Sequence, residues 1–322
     1  MRVLLTGAAG FIGSHYARSL LTGHLEVDVS QVTVVDALTY AGRRENLAPV
    51  ADDPRFTFVH GDICDRELID QVIPGHDLVI NFAAESHVDR SINGPATFLR
   101  TNTLGAQTVF DACLRAGAPK VIQVSTDEVY GSIDEGAWTE DWPLAPNSPY
   151  SASKAAADLM ALAYHRTYGL PVSITRCSNN YGPYQYPEKL LPLFITNLID
   201  GLPVPLYGDG LNVREWIHVD DHCRGIALVA TIGTPGEIYN IGGGTELTNK
   251  DITHMLLDAF NVDWNMVQHV PDRLGHDRRY AINDTKLRNL GYKPQTNFTE
   301  GLTDLITWYR NNEQWWRPLR TA

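Results

Sequence analysis

The segment Thr6-Gly7-Ala8-Ala9-Gly10-Phe11-Ile12-Gly13 constrains this chain more than any other, because it joins the apolar run Val3-Leu4-Leu5 to a helical stretch over 11–22. Three glycines at a strand-to-helix junction have separate tasks. Gly7 permits a tight turn, Gly10 lets backbone approach a pyrophosphate, and Gly13 allows the helix to pack closely on the strand. The free N–H groups at the helix start then face the phosphate charge. A glycine triplet alone is a weak signal that a plain turn can also give, so the context decides. Here an acid, Asp36, ends the next apolar run, Val32-Thr33-Val34-Val35. A carboxylate at that place accepts both adenosine ribose hydroxyls and repels a 2′-phosphate, which favours NAD over NADP. The alternative for Asp36 is a helix or turn cap.

The alternation continues. Strand-like runs at 56–59, 78–80, 121–124 and 172–175 are separated by helical stretches near 65–73, 94–116 and 150–168. Short, mostly apolar runs of this kind suit a parallel sheet covered on both faces. The pattern predicts an α/β fold with a doubly wound parallel (Rossmann) sheet. The second half is broken by Pro and Gly, with helices expected near 188–200, 220–231, 249–260 and 299–312. We expect a dinucleotide domain over 1–176, with returning segments near 215–241, and a smaller α/β substrate domain over 177–322. A cleft between them is the expected ligand site.

Charge and cysteine usage exclude other classes. The net charge of −12 over 322 residues speaks against a nucleic-acid groove. Cys64, Cys113, Cys177 and Cys223 are widely spaced, as in a cytoplasmic protein with free thiols rather than a disulfide framework. No stretch reaches the ~18 apolar residues of a membrane span, and Met1-Arg2 leads straight into a strand, so a cytoplasmic location is expected. His218 and His222 imitate a metal pair, but no third ligand cluster accompanies them and no metal is expected. The aromatic cluster Trp308, Tyr309, Trp315 and Trp316 reads as a terminal helix packed on the body.

Two further motifs carry chemistry. In Tyr150-Ser151-Ala152-Ser153-Lys154 the phenol and the ammonium lie one helical turn apart and face the same way. A lysine there is expected to lower the phenol from its usual ~10 toward the working range, making Tyr150 a base for a sugar hydroxyl. Ser125-Thr126-Asp127-Glu128 follows the strand at 121–124, at the carboxyl edge where such sheets keep their chemistry. Adjacent carboxyl groups there suggest proton transfers beyond simple oxidation, one accepting a C–H proton and the other protonating a leaving hydroxide. A turn cap and a solvated acid are the bland alternatives.

The Gly-x-x-Gly-x-x-Gly spacing, Gly61-Asp62-Ile63, Asn81-Phe82-Ala83-Ala84 and Tyr150-x-x-x-Lys154 resemble the extended short-chain dehydrogenase/reductase family. Ala83–Ser91, Ser125–Gly131, Asn179–Gln185 with Pro187–Leu190, and Tyr207–Gly210 with Asn212–Trp216 look like its dTDP-glucose 4,6-dehydratases, over essentially the whole chain. The resemblance implies a hydro-lyase that turns dTDP-glucose into dTDP-4-keto-6-deoxyglucose for deoxysugar biosynthesis. It implies Thr126, Asp127, Glu128, Tyr150 and Lys154 as catalytic residues. It places NAD against Gly7, Gly10, Phe11, Ile12, Gly13, Asp36, Leu38, Thr39, Asp62, Ile63, Phe82, Ala83, Ala84, Thr101, Tyr150, Lys154 and Asn180. On the substrate side it implies Ser86, Thr126, Asn179, Lys189, Leu190, Pro205, Asn249 and His276. Arg214 and Arg273 clamp the diphosphate, Tyr207 stacks near the thymine and Tyr280 lines the same site. The helices at 94–116 and 150–168 resemble the pair that forms the family's homodimer interface. A sugar 4-epimerase or decarboxylase on the same scaffold is the competing reading, and a catalytically silent NAD-binding protein is a third.

Overall fold

Side-chain alternation in β1 (Arg2–Thr6) sets the layering of the molecule. Val3 and Leu5 enter one apolar core while Leu4 enters a second core on the opposite face. The next strands are β2 (Gln31–Asp36), β3 (Phe56–His60), β4 (Leu78–Asn81), β5 (Lys120–Thr126) and β6 (Val172–Cys177). They divide their residues in the same way: Val34, Ile80 and Ile122 go to the first core, Val35, Val79 and Val121 to the second. A sheet with two apolar faces must be covered by helices on both.

Later strands are β7 (Asn179–Tyr181), β8 (Val204–Tyr207), β9 (Val213–His218), β10 (Ile238–Ile241), β11 (Thr245–Thr248) and β12 (Val267–Val270). The computed structural model describes residues 1–320. Seven strands form one parallel sheet in the order β10-β6-β5-β4-β1-β2-β3. This is the doubly wound order, and its direction reverses between β1 and β4. The glycine turn after β1, residues 82–84 after β4 and residues 127–130 after β5 therefore emerge side by side on the carboxyl edge.

Helix Val219–Ile232 and β10 return to the large sheet, whereas β9 joins β7 and β11 in a three-stranded sheet and β8 pairs with β12. A third apolar core, including Phe194, Trp216, Leu256, Leu305 and Trp316, holds this second part together. Among the described residues no helix is long and apolar enough to cross a membrane.

Local chemistry sets the bounds of the helix that carries Tyr150. Ser148 caps it by accepting a bond from the N–H of Ser151, Pro149 opens its first turn, and Gly169 ends it at φ 71°. The single helix expected over 94–116 is instead three pieces: Pro95–Phe98, a π-helical stretch Leu99–Gly105, and Ala106–Arg115. Within the π stretch, Asn102 accepts from the N–H of Glu85 (2.8 Å) and donates to the Glu85 carbonyl (3.0 Å) and to Ser153 Oγ (2.8 Å). Those bonds tie the wall after β4 to the Tyr150 helix. Such bulges are common beside functional sites. A short helix at Val88–Asn93 was not expected, and the terminal helix expected for the aromatic cluster is two, Phe298–Asn311 and Glu313–Arg320.

Candidate active site

A cavity of about 310 Å³ opens along the carboxyl edge of the large sheet. Its floor is the glycine turn, where there is no room for side chains. At Gly7, with φ +65°, a Cβ would stand 2.4 Å from Ala83 Cα; at Gly13 it would stand 2.7 Å from Ala8 Cα. Gly7, Gly10, Phe11, Ile12 and Gly13 line the cavity from this side. Asp36, Thr39, Asp62, Ile63, Thr101, Phe82, Ala83, Ala84, Tyr150, Lys154 and Asn180 line it as well. Leu38 is the exception. Its backbone N–H donates to Asp36 Oδ1 (2.8 Å) and its side chain packs against the first core.

Asp36 is buried, and burial raises its pKa against the opposing pull of the Leu38 and Ala9 N–H groups. Ala9 donates to Oδ2 at 2.8 Å, so each carboxylate oxygen takes one backbone N–H and keeps further lone pairs for hydroxyl donors. Asn180 is oriented by two neighbours: its amide nitrogen donates to the Ser178 carbonyl (3.0 Å), and its oxygen lies 2.9 Å from His222 Nδ1. Burial lowers His222 to about 3, so this ring is neutral and Nδ1–H donates. His218, in turn, faces Asp220.

Thr126, at the end of β5, and Asp127 and Glu128 directly after it line the same cavity as Tyr150 and Lys154. Thr126 caps the short turn Asp127–Tyr130 and donates from Oγ1 to Asp127 Oδ1 (3.3 Å). Asp127 is buried, and its Oδ2 has no partner. Burial, then the nearby Glu128 and Glu215 charges, raise it well above the usual carboxylate range. Glu128 is also raised by burial, but Arg273, Lys189 and Arg214 pull it back down. Two adjacent acids thus face different surroundings, one without a facing cation at hand except Arg214, the other facing three.

The Tyr150–Lys154 pair differs from expectation. Burial, followed by the acids Glu128 and Asp127 and the Cys177 thiol, raises the phenol well above 10. Lys154 is sequestered as well, donating from Nζ to the Val124 carbonyl at 2.6 Å. Burial lowers its pKa, and the Asp158 charge one turn further along opposes this. The lysine is bonded to the sheet rather than to the phenol, so it does not bring the phenol down.

Of the residues expected on the substrate side, Ser86, Thr126, Asn179 and Lys189 line the cavity. Lys189 donates to the Ser86 carbonyl (2.9 Å). Arg214, Asn249, Arg273, His276, Tyr207 and Tyr280 are absent from its lining and form an adjoining group. Arg214 lies 4.3 Å over the Tyr280 ring and donates to the Asp277 carbonyl (2.9 Å). Tyr280 donates to Asp277 Oδ2 (2.5 Å) and Tyr207 to Asp89 Oδ2 (3.2 Å). His276, lowered to about 4 by burial and by Arg273 and Arg214, stands edge-on to Tyr207 and 2.5 Å from Asp272. Asn249 donates its N–H to Asn212, and its buried Oδ1 is unpartnered. Among the described residues buried Arg214 has no carboxylate within ion-pair distance, and its guanidinium donates to the Val213 (2.7 Å) and Asp277 carbonyls. Leu190 packs into the third core and Pro205 lies within β8; neither reaches the cavity.

Tyr40, Tyr186 and Glu188 also line the cavity and had no role in the sequence reading. Arg90 stacks 3.9 Å over the Tyr40 ring and donates to Glu188 Oε2 (3.0 Å), while Tyr186 stands edge-on to Tyr40. Arg90 and Glu188 lie inside the quoted motifs, but nothing in the linear order brings Tyr40 to them.

Comparison with known proteins agrees with this geometry. The family model described as GDP-mannose 4,6 dehydratase matches residues 4–305. A dTDP-glucose 4,6-dehydratase of Streptomyces antibioticus is 60% identical, over 99% of this chain and 96% of its own length. The crystal structure of a dTDP-glucose 4,6-dehydratase from Streptomyces venezuelae with NAD bound superposes with a TM-score of 0.98 at 60% identity, covering 99% of this chain and 100% of that one. The corresponding enzyme of Bacillus anthracis, in complex with NAD, gives 0.91 at 47% identity over 99% of both chains. The chain belongs to the dTDP-glucose 4,6-dehydratase family of extended short-chain dehydrogenases/reductases.

Proposed function

We propose that this chain dehydrates dTDP-glucose to dTDP-4-keto-6-deoxyglucose with NAD, and that the carboxyl pair after β5 performs the elimination. The observation that carries this reading is that Asp127 and Glu128 line one cavity with Tyr150 and Lys154, near enough for both carboxyl groups to act on the phenol. An epimerase needs no such pair.

The glycine turn and Asp36 fit NAD: a Cβ would fill the cradle at Gly7 and Gly13, and the buried carboxylate keeps lone pairs for ribose hydroxyls. When bound there, NAD supplies a positively charged hydride acceptor that later returns the hydride. Everything else falls to the chain. Tyr150 accepts the 4-hydroxyl proton as a phenolate, a form that its burial makes accessible only when positive charge joins the site. Thr126 holds the same hydroxyl. The 4-ketone then acidifies C5–H, and Glu128, which Arg273, Lys189 and Arg214 favour as a carboxylate, removes that proton. Asp127, whose neutral acid form burial and its acidic neighbours favour, protonates the C6 hydroxyl, which leaves as water. Glu128 returns its proton to C5. Arg214 and Arg273 take the diphosphate, with Lys189 and Asn179 between them and the sugar.

The four cysteines are free, which supports a cytoplasmic setting. Leu99, Leu104, Leu159 and Tyr168, all more than half exposed on the helices around 95–115 and 149–168, support a homodimer through that face. The test of the activity is incubation of the purified protein with dTDP-glucose. A base-induced 4-keto-sugar chromophore with a product lighter by one water supports the reading. A product of unchanged mass would favour an epimerase.

A further inference from the structure

The aromatic cluster at the chain's end does more than cover the third core. The helix Glu313–Arg320 reaches the dinucleotide turn at the other end of the sequence. The Trp315 indole N–H donates to Asn46 Oδ1 (2.9 Å), and Asn46 Nδ2 donates to the carbonyl of Ala9, in the glycine turn (2.8 Å). The amide orientation is unambiguous, because an indole N–H can only donate and a carbonyl can only accept. The N–H of Ala9 is the one that binds Asp36. The centre of the turn is thus held from one side by the adenosine-side carboxylate and from the other by the C-terminal helix.

A second route runs from the same helix to the opposite wall. Tyr184 adopts φ 67° against Trp308 and Trp315, with the Arg18 guanidinium 4.3 Å from its ring. Arg18 also donates to the Asn46 carbonyl (2.5 Å). The two residues after Tyr184, Gln185 and Tyr186, line the cavity. Tyr309 donates to the Gln185 carbonyl (2.5 Å), and Tyr186 donates to the Leu319 carbonyl (3.4 Å). The helix itself is pinned at Asp200 by Arg317 (2.8 Å) and Arg320 (2.9 Å).

We propose that the C-terminal helix is a clasp, with Trp315 as a positioning residue that acts through Asn46 to hold the glycine turn in its dinucleotide-binding form and keep the cofactor bound between turnovers. This rests on the reading of the cavity as the NAD site. It suits a reaction in which the hydride is returned, since an enzyme of that kind has no need to exchange its cofactor.

The experiment measures exchange of bound NAD against labelled NAD in the intact protein. The variant Trp315→Phe keeps an aromatic ring against Tyr184 and Trp308 and loses the N–H donor along with part of the ring area; Asp200→Ala loosens the helix from the surface and touches neither site. Trp315→Phe should release NAD several-fold to about tenfold faster, the range set by one hydrogen bond. Asp200→Ala should change the rate in the same direction. In both, dTDP affinity should stay at the wild-type value. Retained NAD with an unchanged release rate in both variants overturns the clasp and leaves the cofactor reading intact. Equal weakening of NAD and dTDP, with a falling Tm, would mean general packing and also overturns it. Wild-type protein that retains no NAD overturns the cofactor reading and the clasp together.

Discussion

Replacing Asp127 by Asn separates elimination from oxidation. The substitution keeps shape: Thr126 still donates to Oδ1, and the second polar atom lies at the position of the unpartnered Oδ2. The fold should not suffer. The folded carboxyl has its pKa raised above the unfolded value, so at neutral pH the native acid opposes folding, and an amide removes that opposition. Tm should therefore hold or rise. What the amide lacks is a proton that it can give to a leaving hydroxide. Loss of a positioned acid lowers the rate about 10²–10⁴-fold, which is about 3–5 kcal/mol of barrier. Tyr150 and Thr126 are untouched, so C4 oxidation continues. Rapid mixing with dTDP-glucose should show a rise in reduced-nicotinamide absorbance at near the native rate, while the dehydrated product, quantified by mass, forms slowly. Glu128→Gln should behave likewise, and Tyr150→Phe should block both signals. The reasoning fails if Asp127→Asn loses C4 oxidation as fully as Tyr150→Phe, or if it dehydrates at the native rate.

Other expectations follow from single contacts. Arg214→Ala should weaken dTDP binding by about 2 kcal/mol, read by calorimetry, with NAD still bound, because a buried charge-assisted contact is lost; unchanged dTDP affinity would remove Arg214 from the site. Gly7→Ala should abolish NAD retention and lower Tm, since its Cβ meets Ala83 backbone at 2.4 Å and φ is +65°; a variant that keeps its cofactor would contradict the turn geometry. His222, lowered by burial to about 3, binds a proton in the unfolded chain below pH ~6.5 but not in the folded one. It should therefore remove stability as pH falls from 6.5 toward 3, at up to about 1.4 kcal/mol per pH unit. His222→Gln keeps a donor for Asn180 and should flatten that part of the Tm–pH curve; an unchanged slope would disprove it.

The parts of this molecule legible in its sequence are those where one residue's chemistry suffices. Apolar runs announced the six leading strands because a strand buried on both faces is built mainly from apolar, often β-branched residues. Gly7 and Gly13 announced the turn because any Cβ there collides with backbone. The sequence hid whatever depends on distant segments meeting. The π stretch at 99–105 follows from the bonds of Asn102 to Glu85 and Ser153, and no periodicity reports those. The Tyr40–Arg90–Glu188 assembly draws on two loops and the short helix Val88–Asn93. Lys154 was expected to serve its helical neighbour, yet β5 offers it a carbonyl, and helical spacing cannot weigh a tertiary partner against a local one. The same limit bears on the two acids. Side by side in the chain, Asp127 and Glu128 are equivalent by every local criterion. The structure divides them by what each meets: burial and carboxylates for Asp127, cations from residues 189, 214 and 273 for Glu128. An acid and a base can stand next to each other here because the second part of the chain brings three cations to bear on Glu128 and only Arg214 on Asp127.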